Sequence, residues 1–377
     1  MISPPRPNPC RENTPWAHVP EAQWTDWAWQ FRNRIDDIES ARACFSLSSE
    51  EQKALVQTRP KFRFGITPYY ALLANRTDPD CPMRRQMIPR PDEARVSPGE
   101  LRDPLGEEPR EVVPHLVHRY PDRVLLLVTD RCPVYCRFCT RRRVVGSRER
   151  QAPRAELRAA LDYVRARPRI REVILSGGDA LMVGDRTLGE VLQSIRTIAH
   201  VDIVRIATRM PVTCPMRITD ALVERLAPWA PIYVMTHFNH PAELTASAAA
   251  ALAKLVDAGI VVYNQSVLLR GVNDDEAVIR ELNRGLVKLR ATPYYLHQCD
   301  VAEGIEHFRT PLSKGLEIVD RLRGHTSGLM VPQLCVDVPG GLGKVTVLPE
   351  WIVERSATHT RFRTYTGEVA DYPEPTR

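Results

Sequence analysis

The rhythm of hydrophobic and polar positions changes once along this chain, near Tyr120. Beyond that point short β-rich runs alternate with longer amphipathic ones. Residues 124–129, 172–176, 202–208, 231–236, 260–267 and 292–298 have the length and the aliphatic content of strands. Residues 155–167, 187–200, 219–226, 242–258, 275–290 and 311–323 carry apolar positions at helical spacing. Six strand–helix units in about 200 residues predict a parallel sheet covered by helices. A full TIM barrel needs eight such units. The expected fold is therefore α/β, a partial, splayed (β/α)6 TIM-like barrel, with an open doubly wound sheet as the alternative.

The first 120 residues read differently. Trp24, Trp27 and Phe31 recur at helical spacing within a predicted helix over 21–44. Ser48 followed by Glu51 is a capping box that opens a second helix. Prolines are frequent and apolar runs absent over 79–114, which predicts an extended wrap or linker. Three regions follow: a largely helical N-terminal region over 1–120 with oligomer contacts through its tryptophans, a core over 121–325, and a C-terminal segment over 326–377.

Composition narrows the class. Hydrophobic residues make up 43% of the 377 and charged residues 26%, as in a soluble globular protein. No apolar run approaches the ~20 residues of a membrane span. Residues 1–9 are proline-rich and lack the apolar stretch of a signal peptide. A cytoplasmic enzyme without membrane contact is the expectation. The net charge of +6 suits anionic cofactors as well as nucleic acid. Nine cysteines, three of them clustered, suggest a metal or cluster role in a reducing compartment rather than a disulfide framework.

The chemically unusual residues fall just after the predicted strands, where parallel α/β folds place their active sites. Cys132, Cys136 and Cys139 are spaced C-x3-C-x2-C after the first strand. Thiolates are soft ligands for iron–sulfur clusters or zinc. A structural zinc needs four closed ligands, and no fourth Cys or His lies nearby. Three cysteines can instead hold three irons of a 4Fe-4S cube and leave the fourth open. Ser176-Gly-Gly-Asp179 ends the second strand with backbone that a ligand can approach closely. Arg119, Tyr120 and Arg123 lie just before the first strand, and arginine recognises phosphate bidentately. Pro339-Gly-Gly-Leu-Gly-Lys344 lacks P-loop order; a lysine there could bond covalently to a carbonyl cofactor. Arg141, Arg142 and Arg143 form a basic run open to a nucleic-acid reading, but they follow directly on the cysteine loop.

Together these stretches, with His237-Phe-Asn-His240, Arg270-Gly-Val-Asn-Asp, Gln298-Cys-Asp300 and Leu322-Arg-Gly-His325, resemble the lysine 2,3-aminomutases of the radical S-adenosylmethionine (SAM) superfamily. The likeness runs in order from about Trp24 to the C-terminal region. It implies a 4Fe-4S cluster on Cys132, Cys136 and Cys139, with SAM on the open iron. Ser176, Gly177, Gly178 and Asp179 would lie near the SAM methionine, and Gln265 near the cofactors. Lys344 would carry pyridoxal phosphate (PLP), with Arg119 and Arg123 on its phosphate and Tyr120 beside it. Arg141 would pair with the substrate carboxylate, and Asp300 and Asp337 with its distal ammonium. The implied reaction is L-lysine to β-lysine by 1,2-amino migration, with arginine as the alternative substrate. An external electron donor such as flavodoxin or ferredoxin and a homo-oligomer are implied as partners, and nucleic acid is not.

The sequence departs from that pattern in places. Phe138 replaces the usual histidine before the third cluster cysteine, near the SAM adenine. Asp275 stands where relatives have a zinc-binding cysteine, and the chain ends without their cysteine-rich tail, so no zinc is expected. The loop before Lys344 has Leu342 where relatives have glycine.

Overall fold

The computed structural model describes residues 5–375; residues 1–4, on which part of the leader reading rests, and 376–377 lie outside it. Ten strands form one sheet in sequential order: β1 (Glu111–Val113), β2 (Leu116–Tyr120), β3 (Arg123–Thr129), β4 (Glu172–Gly177), β5 (Ile203–Ala207), β6 (Ile232–Thr236), β7 (Val261–Leu268), β8 (Thr292–Gln298), β9 (Gln333–Val338) and β10 (Gly343–Thr346). Neighbours from β3 through β9 pair in parallel. The edges turn antiparallel, β1–β2–β3 at one side and β9–β10 at the other. Among the described residues no ladder joins β10 to β1, so backbone pairing does not close the barrel.

Burial explains why these runs became strands. Val124 and Leu126 on β3, Val173 and Leu175 on β4, Val204 and Ile206 on β5, and Ile232 and Val234 on β6 are all buried. They pack against the apolar stripes of helices Arg154–Arg165, Asp185–Arg196, Asp220–Leu226 and Ala246–Asp257. Such a stripe facing a sheet is the core of the α/β class. Helices Glu276–Lys288 and Leu312–Leu322 cover β7 to β9 through Ile279, Ile318, Leu268 and Leu334.

The six expected strands and their helices are all present, and one expectation needs correction. The helix over 21–44 is three short helices, Glu21–Trp24, Trp27–Arg32 and Ile38–Cys44. Asp26 and Asp37 restart it by accepting backbone N–H groups as N-caps. The tryptophans pack within this chain, Trp24 against Trp16 and Trp29 at 6.2 and 6.0 Å. Of the two readings of 79–114, the stretch is a wrap bound to the rest of the chain and not a linker. Met83, Met87 and Ile88 are buried in it, and Arg84 is locked to Glu51 at 2.6 Å with both side chains out of solvent. Arg119 and Tyr120 lie on strand β2, which lines a cavity with Val117, Arg119 and Tyr120. A separate antiparallel sheet of β11 (Ile352–Arg355), β12 (His359–Arg363) and β13 (Val369–Pro373) had no expected counterpart. Among the described residues no helix is long and apolar enough to cross a membrane.

Candidate active site

The C-terminal ends of the parallel strands open onto one cavity of about 590 Å³. Every residue singled out above for cofactor or substrate lines it, except Gly177. The cysteine loop follows β3 and is held from outside by the strap over 79–114. Arg137, between Cys136 and Cys139, donates to the Glu93 carboxylate at 2.7 Å, both side chains fully buried. Its backbone N–H donates to the Gln86 carbonyl at 2.9 Å. A buried pair of this kind adds little net stability, but losing one partner costs about 3–5 kcal/mol, so it ties the strap firmly to the loop. Burial, and then repulsion from neighbouring acidic groups, pushes the Cys132 thiol well above its ordinary value. Burial and Cys136 push Cys139 up to about 11. Bound cations offset such shifts. Among the described residues no three Cys, His, Asp or Glu side chains are arranged to hold a single metal ion. A cluster, whose cysteines bind different irons, suits this donor set.

The two glycines at the end of β4 serve the cysteine loop. Gly178 N–H donates to the Thr129 carbonyl at 2.6 Å and Asp179 N–H to the Arg131 carbonyl at 2.8 Å. A Cβ on Gly177, at φ +128°, would sit 2.0 Å from the Thr129 oxygen, and one on Gly178 would sit 2.2 Å from that of Arg131. Gly177→Ala should therefore destabilise the fold by about 1–3 kcal/mol from backbone strain alone, with the clash added. Thermal unfolding of Gly177→Ala beside Gly184→Ala, a position with open space around it, measures the difference. Asp179 has both carboxylate oxygens committed: it accepts from Leu181 N–H, Thr208 hydroxyl and Arg209 N–H at 3.0, 2.6 and 2.7 Å. Its carboxylate binds the strand-end loops of β4 and β5 together.

Across the cavity, antiparallel register sets Lys344 of β10 opposite Asp337 of β9. Lys344 Nζ lies 2.5 Å from Asp337 Oδ2 and 3.1 Å from His297 Nδ1. Arg119 donates to Asp337 Oδ1 at 2.9 Å and to the Tyr120 hydroxyl at 2.8 Å. That hydroxyl accepts the backbone N–H of Lys344 at 3.0 Å, so β2 and β10 meet through Tyr120. The Arg119 and Arg123 guanidinium groups lie 4.8 and 4.0 Å from its ring. Burial alone would raise the Asp337 carboxyl. Contact with His297 and the charge of Lys344 overcome this and hold it below the usual carboxylate range. Burial keeps the His297 imidazole below its ordinary value, hence neutral.

Asp300, after β8, has no such company. Among the described residues no hydrogen bond or ion pair reaches its carboxylate. Burial first, and then the Asp337 charge, push it up to about 7. Arg141 is engaged: it grips Glu107 through Nε and Nη2 at 2.9 and 2.8 Å and donates to the Ser176 hydroxyl at 3.1 Å. Arg143 pairs with Asp103 and Glu107, and Arg142 with Glu93. The basic run thus faces internal carboxylates, unlike a nucleic-acid surface. Phe138 packs beside His237 at 5.4 Å and Phe308 at 6.2 Å. Asp275 caps helix Glu276–Lys288 by accepting from Ala277 N–H at 2.8 Å. Sequence reading missed Glu107, Arg209, Tyr295 and His297. Arg209 lies two residues beyond β5 and His297 is the next-to-last residue of β8, so strand-end position was the available signal for both. Glu107 and Tyr295 have none in one sequence.

A three-cysteine loop and a Gly-Gly strand end facing each other at the mouth of a partial barrel define a radical SAM enzyme, and residues 126–282 match the Radical SAM superfamily. Residues 319–377 match the Lysine-2,3-aminomutase family. The chain is 48% identical to the L-lysine 2,3-aminomutase of Clostridium subterminale, over 95% of this chain and 86% of that one. It is 44% identical to the Bacillus subtilis L-lysine 2,3-aminomutase, over 96% and 76% of the two chains. It is 39% identical to the glutamate 2,3-aminomutase of Clostridioides difficile, over 93% and 82%. The chain belongs to the lysine 2,3-aminomutase family. It is an isomerase of a family that works with a 4Fe-4S cluster, SAM and PLP.

Proposed function

We propose that this protein converts L-lysine to β-lysine, moving the amino group from C2 to C3. The observation that carries the substrate is Asp300, a buried carboxylate facing the cavity with no partner of its own, 37 residues before Asp337 in sequence and coupled to it in space. Two carboxylates in one pocket need a cation between them. The distal ammonium of lysine supplies it; glutamate cannot.

When bound, the cofactors supply what side chains cannot: SAM on the cluster a hydrogen-abstracting radical, and PLP a stabilising π-system for the migrating nitrogen. The remaining work belongs to the protein. Cys132, Cys136 and Cys139 would hold the irons, Ser176, Gly178 and Asp179 would border SAM, and Gln265 would lie near the cofactors. Lys344 would carry PLP, with Arg119 and Arg123 on its phosphate and Tyr120 beside it. Engaging Lys344 and Arg119 in this way would release Asp337 from both. Asp337 then joins Asp300 on the substrate ammonium. Arg141 exchanges Glu107 for the substrate carboxylate. The cavity walls fix the orientation of the reacting groups, which supplies much of the rate. The reducing electron comes from a small donor protein of the flavodoxin or ferredoxin type. The enzyme works in the cytoplasm, as a homo-oligomer.

An anaerobic assay with SAM, PLP and dithionite across lysine, arginine, ornithine and glutamate tests the substrate. Lysine should be preferred; a preference for glutamate contradicts the acidic-pair argument, and one for arginine corrects the substrate alone. The pH profile tests Asp300. A carboxyl raised to about 7 is half protonated near neutrality and binds ammonium only when ionised. In the free enzyme kcat/KM for lysine should therefore rise with pH through about 7 and level off above it. Asp300→Asn should lose that limb. It should also lower kcat/KM roughly a hundredfold to several thousandfold, the scale of about 3–5 kcal/mol for removing one partner of a buried charge pair.

A further inference from the structure

Arg209 lies just beyond the C-terminal end of β5, beside the cysteine loop, with its side chain almost wholly buried. Its donors are nearly all accounted for by protein groups. Nε donates to the His237 carbonyl at 3.0 Å. Nη2 donates to Glu243 Oε1 and Gln86 Oε1, each at 2.7 Å, and to the Tyr70 hydroxyl at 3.0 Å. Glu243 is itself buried and also accepts the N–H groups of Asn239 and His240, at 2.6 and 3.0 Å. This frame fixes the guanidinium plane and aims Nη1 at the Cys136 sulfur, 2.8 Å away. The Phe138 ring lies 5.2 Å from the guanidinium on the cavity side. A buried cation is costly unless it is paired and hydrogen-bonded. Glu243 pairs it, yet a fork merely neutralising Glu243 would not need an arm on a sulfur.

We propose that Arg209 is a positioning residue for the iron–sulfur cluster. It raises the cluster's reduction potential through a charged hydrogen bond to the Cys136 thiolate. The inference rests on the reading of Cys132, Cys136 and Cys139 as cluster ligands. A cluster taking up one electron from an external low-potential donor gains one negative charge, and no proton is required. A fixed cation beside a ligand sulfur stabilises that reduced state, and hydrogen bonds to the sulfurs act in the same direction. Lysine could keep the charge but lacks the planar fork that reaches Glu243 and Cys136 together.

The test is a redox titration of the reconstituted protein followed by electron paramagnetic resonance, with iron and sulfide content measured for each sample. Wild-type protein without a 4Fe-4S signal would overturn the cluster reading itself. Given a cluster, Arg209→Met combined with Glu243→Gln, which avoids stranding a buried carboxylate, should shift the midpoint to more negative potential. Arg209→Lys should give a smaller shift in the same direction. An unchanged midpoint at full cluster content overturns the proposal. So does loss of the cluster from both variants, which makes Arg209 an anchor of the loop. A weakened affinity for SAM at unchanged midpoint also overturns it, by assigning the guanidinium to SAM.

Discussion

Replacing any one of Cys132, Cys136 or Cys139 by alanine should reduce SAM cleavage to the background of protein without iron. The three thiols share one wall of the cavity, on a loop pinned by the buried Arg137–Glu93 pair and by two N–H bonds from the strand end after β4. The loop's shape therefore does not depend on any single sulfur, and each variant should fold. The chemistry does depend on each of them. A cube with three protein ligands keeps one iron open; with two it is labile and exposes another iron. The variants should show wild-type thermal unfolding of the apoprotein, little iron after anaerobic reconstitution and no 5′-deoxyadenosine. A variant that retains a full cluster and cleaves SAM would remove that cysteine from the site.

Lys344→Ala should abolish covalent PLP and lower mutase turnover on the order of a thousandfold or more, the scale on which fixed placement of a reacting group acts. The position of Lys344 comes from register. It sits across the β9–β10 ladder from Asp337, its backbone is held by Tyr120, and its amine touches Asp337 and His297. Wild-type protein should show a near-visible PLP band that borohydride bleaches, with the label on a peptide containing Lys344. The variant should bind PLP only reversibly. A borohydride-stable adduct in Lys344→Ala would show that another lysine carries it.

The parts of the molecule legible in sequence are those in which neighbouring residues do the same thing. The run over 172–176 falls one residue short of β4, whose contiguous aliphatics are buried, and 292–298 is β8 at the same bounds, a short threonine- and tyrosine-bearing run. The cysteine triad, the Gly-Gly end and Lys344 were also readable, since each is a compact motif. The strap over 79–114 was not. It is held by Arg84–Glu51, Arg137–Glu93 and Arg141–Glu107, pairs of residues distant in sequence that leave no periodic trace. The engagement of Arg141 by Glu107 was hidden for the same reason. The β11–β13 sheet escaped because β11 is exposed along its whole length, so no inward face alternates with an outward one. Asp26 and Asp37, by contrast, are N-cap residues that periodicity alone overruled, and each one divides the N-terminal helix.

The central claim is that one cavity moves the α-nitrogen of lysine to the adjacent carbon without releasing it. Lysine labelled with ¹⁵N at its α-amino group, incubated anaerobically with the reconstituted enzyme, SAM, PLP and dithionite in a pool of unlabelled ammonium, tests this directly by NMR. The account predicts β-lysine carrying the ¹⁵N on C3 at undiluted enrichment. Label lost to the ammonium pool, or lysine recovered unchanged while SAM is consumed, would contradict it.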